Sequence, residues 1–212
     1  MLKEYKEFVM GVMGCWCFYR VEENHFLNVR AEFERASVGI GDLPEVLCSA
    51  SLQEVTPTAS EGNDPFLEDI ISGRDLSEIV YHEPFQDFAD RLSEDENLLG
   101  FENCIETVVQ PRTLPSVILL AGIGADKFSR LPGYFGNLLL HPSEIENAIT
   151  TIDEILEVDW DTYFERSKSV LHNRVSDDIV AKDVLEVLHI FPQALRKVRD
   201  EKSGLLSLVF WA

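Results

Sequence analysis

The chain has 212 residues, of which 45% are hydrophobic and 10% aromatic, and its formal net charge is −20. These fractions are ordinary for a globular protein and exclude wholesale disorder. A strongly negative surface repels nucleic acid and anionic membranes, so we expect neither as a partner.

The negative charge is concentrated in two parts of the sequence. The first acidic segment, 61–106, carries fourteen acidic residues against two basic ones. The second acidic segment, 144–165, carries eight acidic residues and neither Lys nor Arg. The rest of the chain is nearly balanced, so these segments account for the net charge. Such charge either attracts a cationic partner or only keeps the protein soluble.

The first half of the chain predicts mainly helices. We expect a short helix over 1–13, a buried aromatic strand over 15–20 and an amphipathic helix over 22–36. Asp64-Pro65 predicts the start of a helix that stops at Gly73. A further acidic helix is predicted from about Asp75, interrupted or kinked at Pro84, and continuing through Phe85, Phe88 and Leu92.

The second half predicts three strands and further helices. The apolar run 117–121, bounded by Pro115 and Gly122, is typical of a central strand covered on both faces. Residues 134–140 predict another strand, with a turn or bulge at Gly136-Asn137 near its start. A last apolar strand is predicted over 205–211.

The clearest helix is predicted over 143–156, because its apolar residues fall at helical spacing on one stripe. These residues are Ile145, Ala148, Ile149, Ile152, Ile155 and Leu156. Further helices are predicted over about 161–171 and from about 177 onward, the second one kinked or split by Pro192.

This order of elements is not a strict alternation of strands and helices, so it predicts an α+β fold. We expect a single domain over 1–212, with a mixed sheet of about four or more strands flanked by amphipathic helices. Residues 61–106 are expected to form an acidic, helical, insertion-like region.

Three short motifs are similar to those of a bacterial protein family. Residues 13–23 contain Met-Gly, an aromatic strand and an Arg-Val-Glu turn into a helix. Residues 133–137 place an aromatic pair between glycines, and 140–145 follow with a Leu-x-Pro helix start. Residues 184–211 join a long helix to a short apolar strand.

In these motifs the chain resembles the YfbM-like family of small bacterial proteins. The resemblance covers 13–34 and 131–211. The family's Asp-x-x-Trp helix and its Leu-Leu-Thr-Gly turn do not occur, and 61–106 stands in their place. The resemblance implies a shared fold and lineage without implying an activity.

No sequence motif indicates a particular reaction, metal or cofactor, so we expect no catalytic residue, no metal site and no cofactor. The four cysteines lack the spacing of a disulfide framework or a zinc site, so buried, inert thiols are expected. The glycine pairs 122/124 and 133/136 match no phosphate loop and indicate turns. The five histidines lie far apart in sequence and form no recognisable triad or ligand pair.

Two functional hypotheses remain for a protein that begins without a signal-peptide pattern and is expected in the cytoplasm. In the first, the protein is an acidic immunity- or inhibitor-type protein that docks a basic protein, with Asp87, Asp90, Glu94 and Asp95 at the contact. In the second, it is an enzyme or a small-molecule-binding protein with a cleft lined by Tyr134, Asn137 and His141.

Overall fold

A computed structural model describes most of the second half of the chain and part of the first. The described residues are 13–39, 83–94, 98–111, 113–156, 161–165, 167 and 177–212. The helices predicted over 1–13 and 64–73 and the helix start near Asp75 lie outside them.

The strands form one four-stranded sheet in the order β2-β1-β4-β3. Every pairing is antiparallel, whereas the sequence analysis expected a mixed sheet. The central strands β1 and β4 are buried over most of their length. The strands are β1 Met13–Val21, β2 Cys104–Pro111, β3 Leu138–Leu140 and β4 Gly204–Trp211.

Helices cover both faces of the sheet, which confirms the α+β single-domain prediction. The α-helices are α1 Glu23–Ala36, α2 Glu83–Glu94, α3 Pro115–Ile123, α4 Ala125–Phe128, α5 Ile145–Leu156 and α6 Asp177–Glu201. Residues 161–165 are also helical, and two 3₁₀ turns lie at Phe101–Asn103 and Pro142–Glu144. Among the described residues, no helix combines the length and apolarity needed to cross a membrane.

The alternation of side chains along β1 divides the core into two parts. Trp16 and Phe18 pack with buried residues of α3, α5 and α6. Cys15, Cys17 and Tyr19 pack on the opposite face with buried residues of α1 and α2. The molecule therefore has three layers, with the sheet in the middle.

The predicted strand at 117–121 is wrong, because these residues belong to helix α3. All nine residues of this helix are buried, so its sequence shows an unbroken apolar run where a half-exposed helix would show a stripe. Pro115 occupies the first turn, where its missing N–H costs nothing. Gly124 ends the helix with a φ of 83°.

The strand predicted over 134–140 is confirmed only at β3. Residues Tyr134 and Asn137 instead close a tight two-residue turn through paired backbone hydrogen bonds of 2.8 Å. Phe135 and Gly136, in the middle of the turn, have positive φ values of 46° and 93°. Two consecutive positive φ values are those of a primed hairpin turn rather than of an extended strand.

Candidate functional site

Helix α2 presents an acidic outer face. Its buried side carries Phe85, Phe88, Ala89 and Leu92. Glu83, Asp87 and Asp90 are exposed. Their spacing of four and three residues places these carboxylates in one line along the helix.

Two sets of side-chain contacts fix α2 on the rest of the protein. At one end, Gln86 Nε2 donates to Trp211 O (3.0 Å) and Gln86 Oε1 accepts from Trp211 N (2.9 Å). These bonds satisfy the main chain of β4 where β3, which pairs only with residues 205–207, does not reach. At the other end, the Arg91 guanidinium lies 2.5 Å from the Glu32 carboxylate of α1.

The contact with Glu32 also offsets part of the positive charge of Arg91. Glu32 binds Arg35 through its other oxygen at 2.6 Å, so it is shared between two cations. The basic residue of α2 is thus paired with an acid of another helix.

Helix α5, which belongs to the second acidic segment, lies in a different environment from α2. Helix α5 buries its apolar stripe in the core on the side of the sheet opposite α2, so these two helices do not share a face. Arg196 of α6 pairs with Asp153 of α5 at 2.6 Å. Lys197 of α6 pairs at 3.4 Å with Glu106, the last acid of the first segment. The basic end of α6 therefore offsets part of the charge on this side.

The structure describes two of the four predicted partner-binding residues in full. Asp87 and Asp90 are exposed side by side on α2. Asp90 Oδ1 also accepts a 3.3 Å hydrogen bond from Gln86 Nε2. Glu94 is the last residue of the helix, and its side chain is outside the described set. Asp95 lies outside the described residues.

Asn137 and His141, which the sequence predicts to line a cleft, form side-chain hydrogen bonds to main-chain groups of the protein. Asn137 is buried, and its side-chain amide donates to Tyr134 O (3.1 Å) while its oxygen accepts from Val209 N (2.8 Å). His141 Nδ1 accepts from Ser143 N (3.3 Å), while the His141 N–H donates to Glu144 (2.8 Å), completing a capping box.

Because the polar atoms of Asn137 and His141 already form hydrogen bonds within the protein, they offer few groups for binding a ligand. Tyr134 is half-buried against the Phe135 ring, and burial raises its pKa. An apolar depression lies beside this turn between Trp16, Phe128 and Phe135, but its walls are too close to admit a water molecule. Among the described residues, no three His, Cys, Asp or Glu side chains converge as metal ligands.

The structure brings together a group of thiols that the sequence does not predict. Cys17 Sγ lies 2.8 Å from Thr107 Oγ1, and Cys104 Sγ lies 3.7 Å from the same oxygen. Cys15 and Tyr19 flank Cys17 on this face of β1. The predicted buried state is confirmed for Cys15 and Cys17, whereas Cys104 is half-buried.

These groups differ in their acidity. Burial raises the pKa of Cys15 to about 11 and that of Tyr19 well above its usual value. The thiol of Cys17 donates to Cys104, which together with burial raises the pKa of Cys17. That hydrogen bond, with others from Thr107 and the Phe18 main chain, lowers the pKa of Cys104 to about 7. Cys104 is thus the most acidic thiol of the group.

No family model, curated protein or solved structure matches this chain. Membership of the YfbM-like family stays a prediction from the short motifs.

Proposed function

We propose that this protein binds a basic protein through the outer face of α2. The observation that carries the proposal is the line formed by Glu83, Asp87 and Asp90 on a helix whose single arginine is paired with another helix. A cationic surface that meets these carboxylates gains charge-assisted contacts.

The rigid mounting of α2 supports a binding role. The helix is held by buried aromatic residues on its inner side, by Gln86 at one end and by Arg91 near the other. The exposed carboxylates of Glu83 and Asp90 are seven positions apart, or about 10 Å along the helix. A surface that is ordered before binding loses less conformational entropy when a partner docks.

An acidic face of this kind acts mainly on the rate of association and on the choice of partner. An immunity- or inhibitor-type role fits it, since such a protein must find and cover a cationic site, for example that of a nuclease. Helix α5 is the weaker candidate for the contact because Arg196 of α6 neutralises Asp153 there.

The small-molecule hypothesis stays a prediction, and the contacts of Asn137 and His141 do not favour it. Their polar atoms bind main-chain groups of the same turn, of β4 and of the helix start.

Affinity capture with three matched baits tests the proposal. The baits are the natural chain, an Asp87→Lys/Asp90→Lys variant and a Glu146→Lys/Glu154→Lys variant, the last with the same charge change on exposed positions of α5. Each is immobilised and exposed to a lysate of the source cells at low salt. We expect a strongly basic protein on the first and third baits and its loss from the second. Equal retention on all three, or no basic protein retained, would contradict the proposal.

A further inference from the structure

We propose that Cys104 and Cys17 form a reversible oxidation site, in which a peroxide oxidises Cys104 and Cys17 then closes a disulfide between β1 and β2. The inference is independent of partner binding. It rests on the position of the two thiols around Thr107 and on the exposure of only one of them.

Cys104 has the features of a thiol that reacts first. It begins β2, an edge strand of the sheet, and is half-buried, so a small oxidant can reach its sulfur. Hydrogen bonds from Cys17, Thr107 and the Phe18 main chain stabilise its thiolate and lower its pKa. The thiolate is the nucleophilic form of cysteine.

Cys17 has the features of a resolving thiol. It is buried, and its sulfur lies 2.8 Å from Thr107 Oγ1 while that of Cys104 lies 3.7 Å from the same oxygen, so the two thiols are neighbours in the folded chain. Its pKa is raised chiefly because it donates to Cys104. Oxidation of Cys104 removes its negative charge and so weakens this effect, while burial continues to raise the pKa of Cys17.

The two steps balance without a further reactant. The Cys104 thiolate attacks one oxygen of the peroxide, the O–O bond breaks and the leaving oxygen takes up a proton, which leaves a sulfenic acid. The Cys17 sulfur then attacks the sulfenic sulfur, the S–O bond breaks and hydroxide leaves with the Cys17 proton as water. The two thiols together lose two electrons to the peroxide.

The sheet can bend locally so that a disulfide forms between Cys17 and Cys104. Cys17 lies opposite Thr107 and Cys104 opposite Tyr19, so the cysteines are diagonal partners. Diagonal Cα atoms are about 7–8 Å apart in a regular sheet, about 1 Å more than a disulfide accepts. The register shifts between Phe18 and Tyr19, beside the pair, and such an irregularity bends an edge strand readily.

Peptide mapping after peroxide treatment tests the proposal. The reduced chain is treated with hydrogen peroxide, its free thiols are alkylated and it is digested without reductant. We expect a Cys17–Cys104 cross-link, a mass lower by two hydrogen atoms, and full reversal by dithiothreitol. Cys104→Ser should lose the link and leave Cys17 reduced. Cys17→Ser should leave a Cys104 sulfenic acid that dimedone traps, and Cys15→Ser should behave like the natural chain.

Mapping of the natural chain decides the matter even where a variant fails to fold. A link from Cys104 to Cys48, over-oxidation of Cys104 without a link, or both thiols recovered reduced would overturn the proposal.

Discussion

Gly136 occupies a position where the fold admits no side chain. Its φ is 93°, a conformation that L-residues rarely adopt. A Cβ at this position would lie 2.8 Å from Val209 Cγ2 and 3.1 Å from the Trp16 ring. The Gly136 carbonyl also accepts a 2.6 Å hydrogen bond from Ser207, which itself accepts from Trp16 Nε1 at 2.6 Å. The turn is thereby joined to the two central strands.

Gly136→Ala should destabilise the protein more than Gly39→Ala does. Both glycines have positive φ, so each substitution should cost about 1–2 kcal/mol of backbone strain. Only Gly136 faces core atoms, whereas a Cβ on Gly39 meets nothing within 4 Å. The contact with Val209 and Trp16 should add about 1–3 kcal/mol. Urea unfolding of both variants measures the difference, and equal losses of stability would show that the turn is not packed as described.

The thiols predict how stability varies with pH under reducing conditions. Between about pH 7 and pH 9, folded Cys104 has lost a proton that the unfolded chain keeps, so the free energy of unfolding should rise with pH. Above about pH 9 the unfolded chain ionises its cysteines, while folded Cys15 keeps its proton up to about pH 11. Cys17, whose folded pKa is also raised, acts in the same direction, so stability should then fall.

Urea midpoints measured from pH 6.5 to pH 10 test this pattern. The Cys104→Ser variant is the control and should lack the rise between pH 7 and pH 9 while keeping the fall above it. A rise of equal size in both proteins would show that another group causes it.

At the scale of elements, α5 is the helix whose role the sequence predicts best. All six residues of its apolar stripe are buried, as the helical spacing indicates. The helix packs against α6, and its polar positions carry three of the eight acidic residues of the second acidic segment, namely Glu146, Asp153 and Glu154.

Ile152→Ala should therefore cost about 2–5 kcal/mol of unfolding free energy, since it leaves a cavity at a fully buried position. Glu154→Ala is the matched control in the same helix, and because Glu154 is exposed its effect should stay within about 0.5 kcal/mol. Thermal or urea unfolding measures both. Unchanged stability in Ile152→Ala would mean that the stripe faces water.

Other elements were predictable only in part, for identifiable reasons. A short helix buried on every side has no polar positions, so the run in α3 has the pattern of a strand. The sequence does not predict strand β2, because its first residues belong to the acidic segment 61–106, whose pattern indicates helices, although Ile105, Thr107, Val108 and Val109 are β-branched. Of the first acidic segment, α2 and the start of β2 belong to the core of the fold.

The two candidate sites also differ in how far the sequence predicts them. The acidic face of α2 follows from the spacing of Asp87 and Asp90 in the sequence. The cluster of thiols depends on the pairing of β1 with β2. This pairing brings together Cys17 and Cys104, which are 87 positions apart in the sequence. No local pattern around either cysteine carries that information.

At the scale of the whole molecule, the net charge of −20 should oppose folding at low ionic strength. Exposed ion pairs, such as Arg196 with Asp153, should each contribute only about 0.2–1 kcal/mol. Mutual repulsion of the remaining acids should therefore dominate the response to salt.

We expect the melting temperature to rise as NaCl increases from 10 to about 200 mM, because the screening length falls to about 10 Å near 0.1 M. KCl should have the same effect as NaCl, which separates screening from binding of a particular ion. A melting temperature that falls steadily over this range would indicate that favourable ion pairs outweigh the repulsion.

The measurement that tests the central claim most directly is the rate of association with the captured basic protein across a NaCl series. The natural chain should associate fast at low salt and progressively more slowly as salt rises. Asp87→Lys/Asp90→Lys should slow association about tenfold or more at low salt. Glu146→Lys/Glu154→Lys, which changes the net charge equally, should have a much smaller effect. Equal slowing by both variants, or rates indifferent to salt, would contradict a specific role for α2.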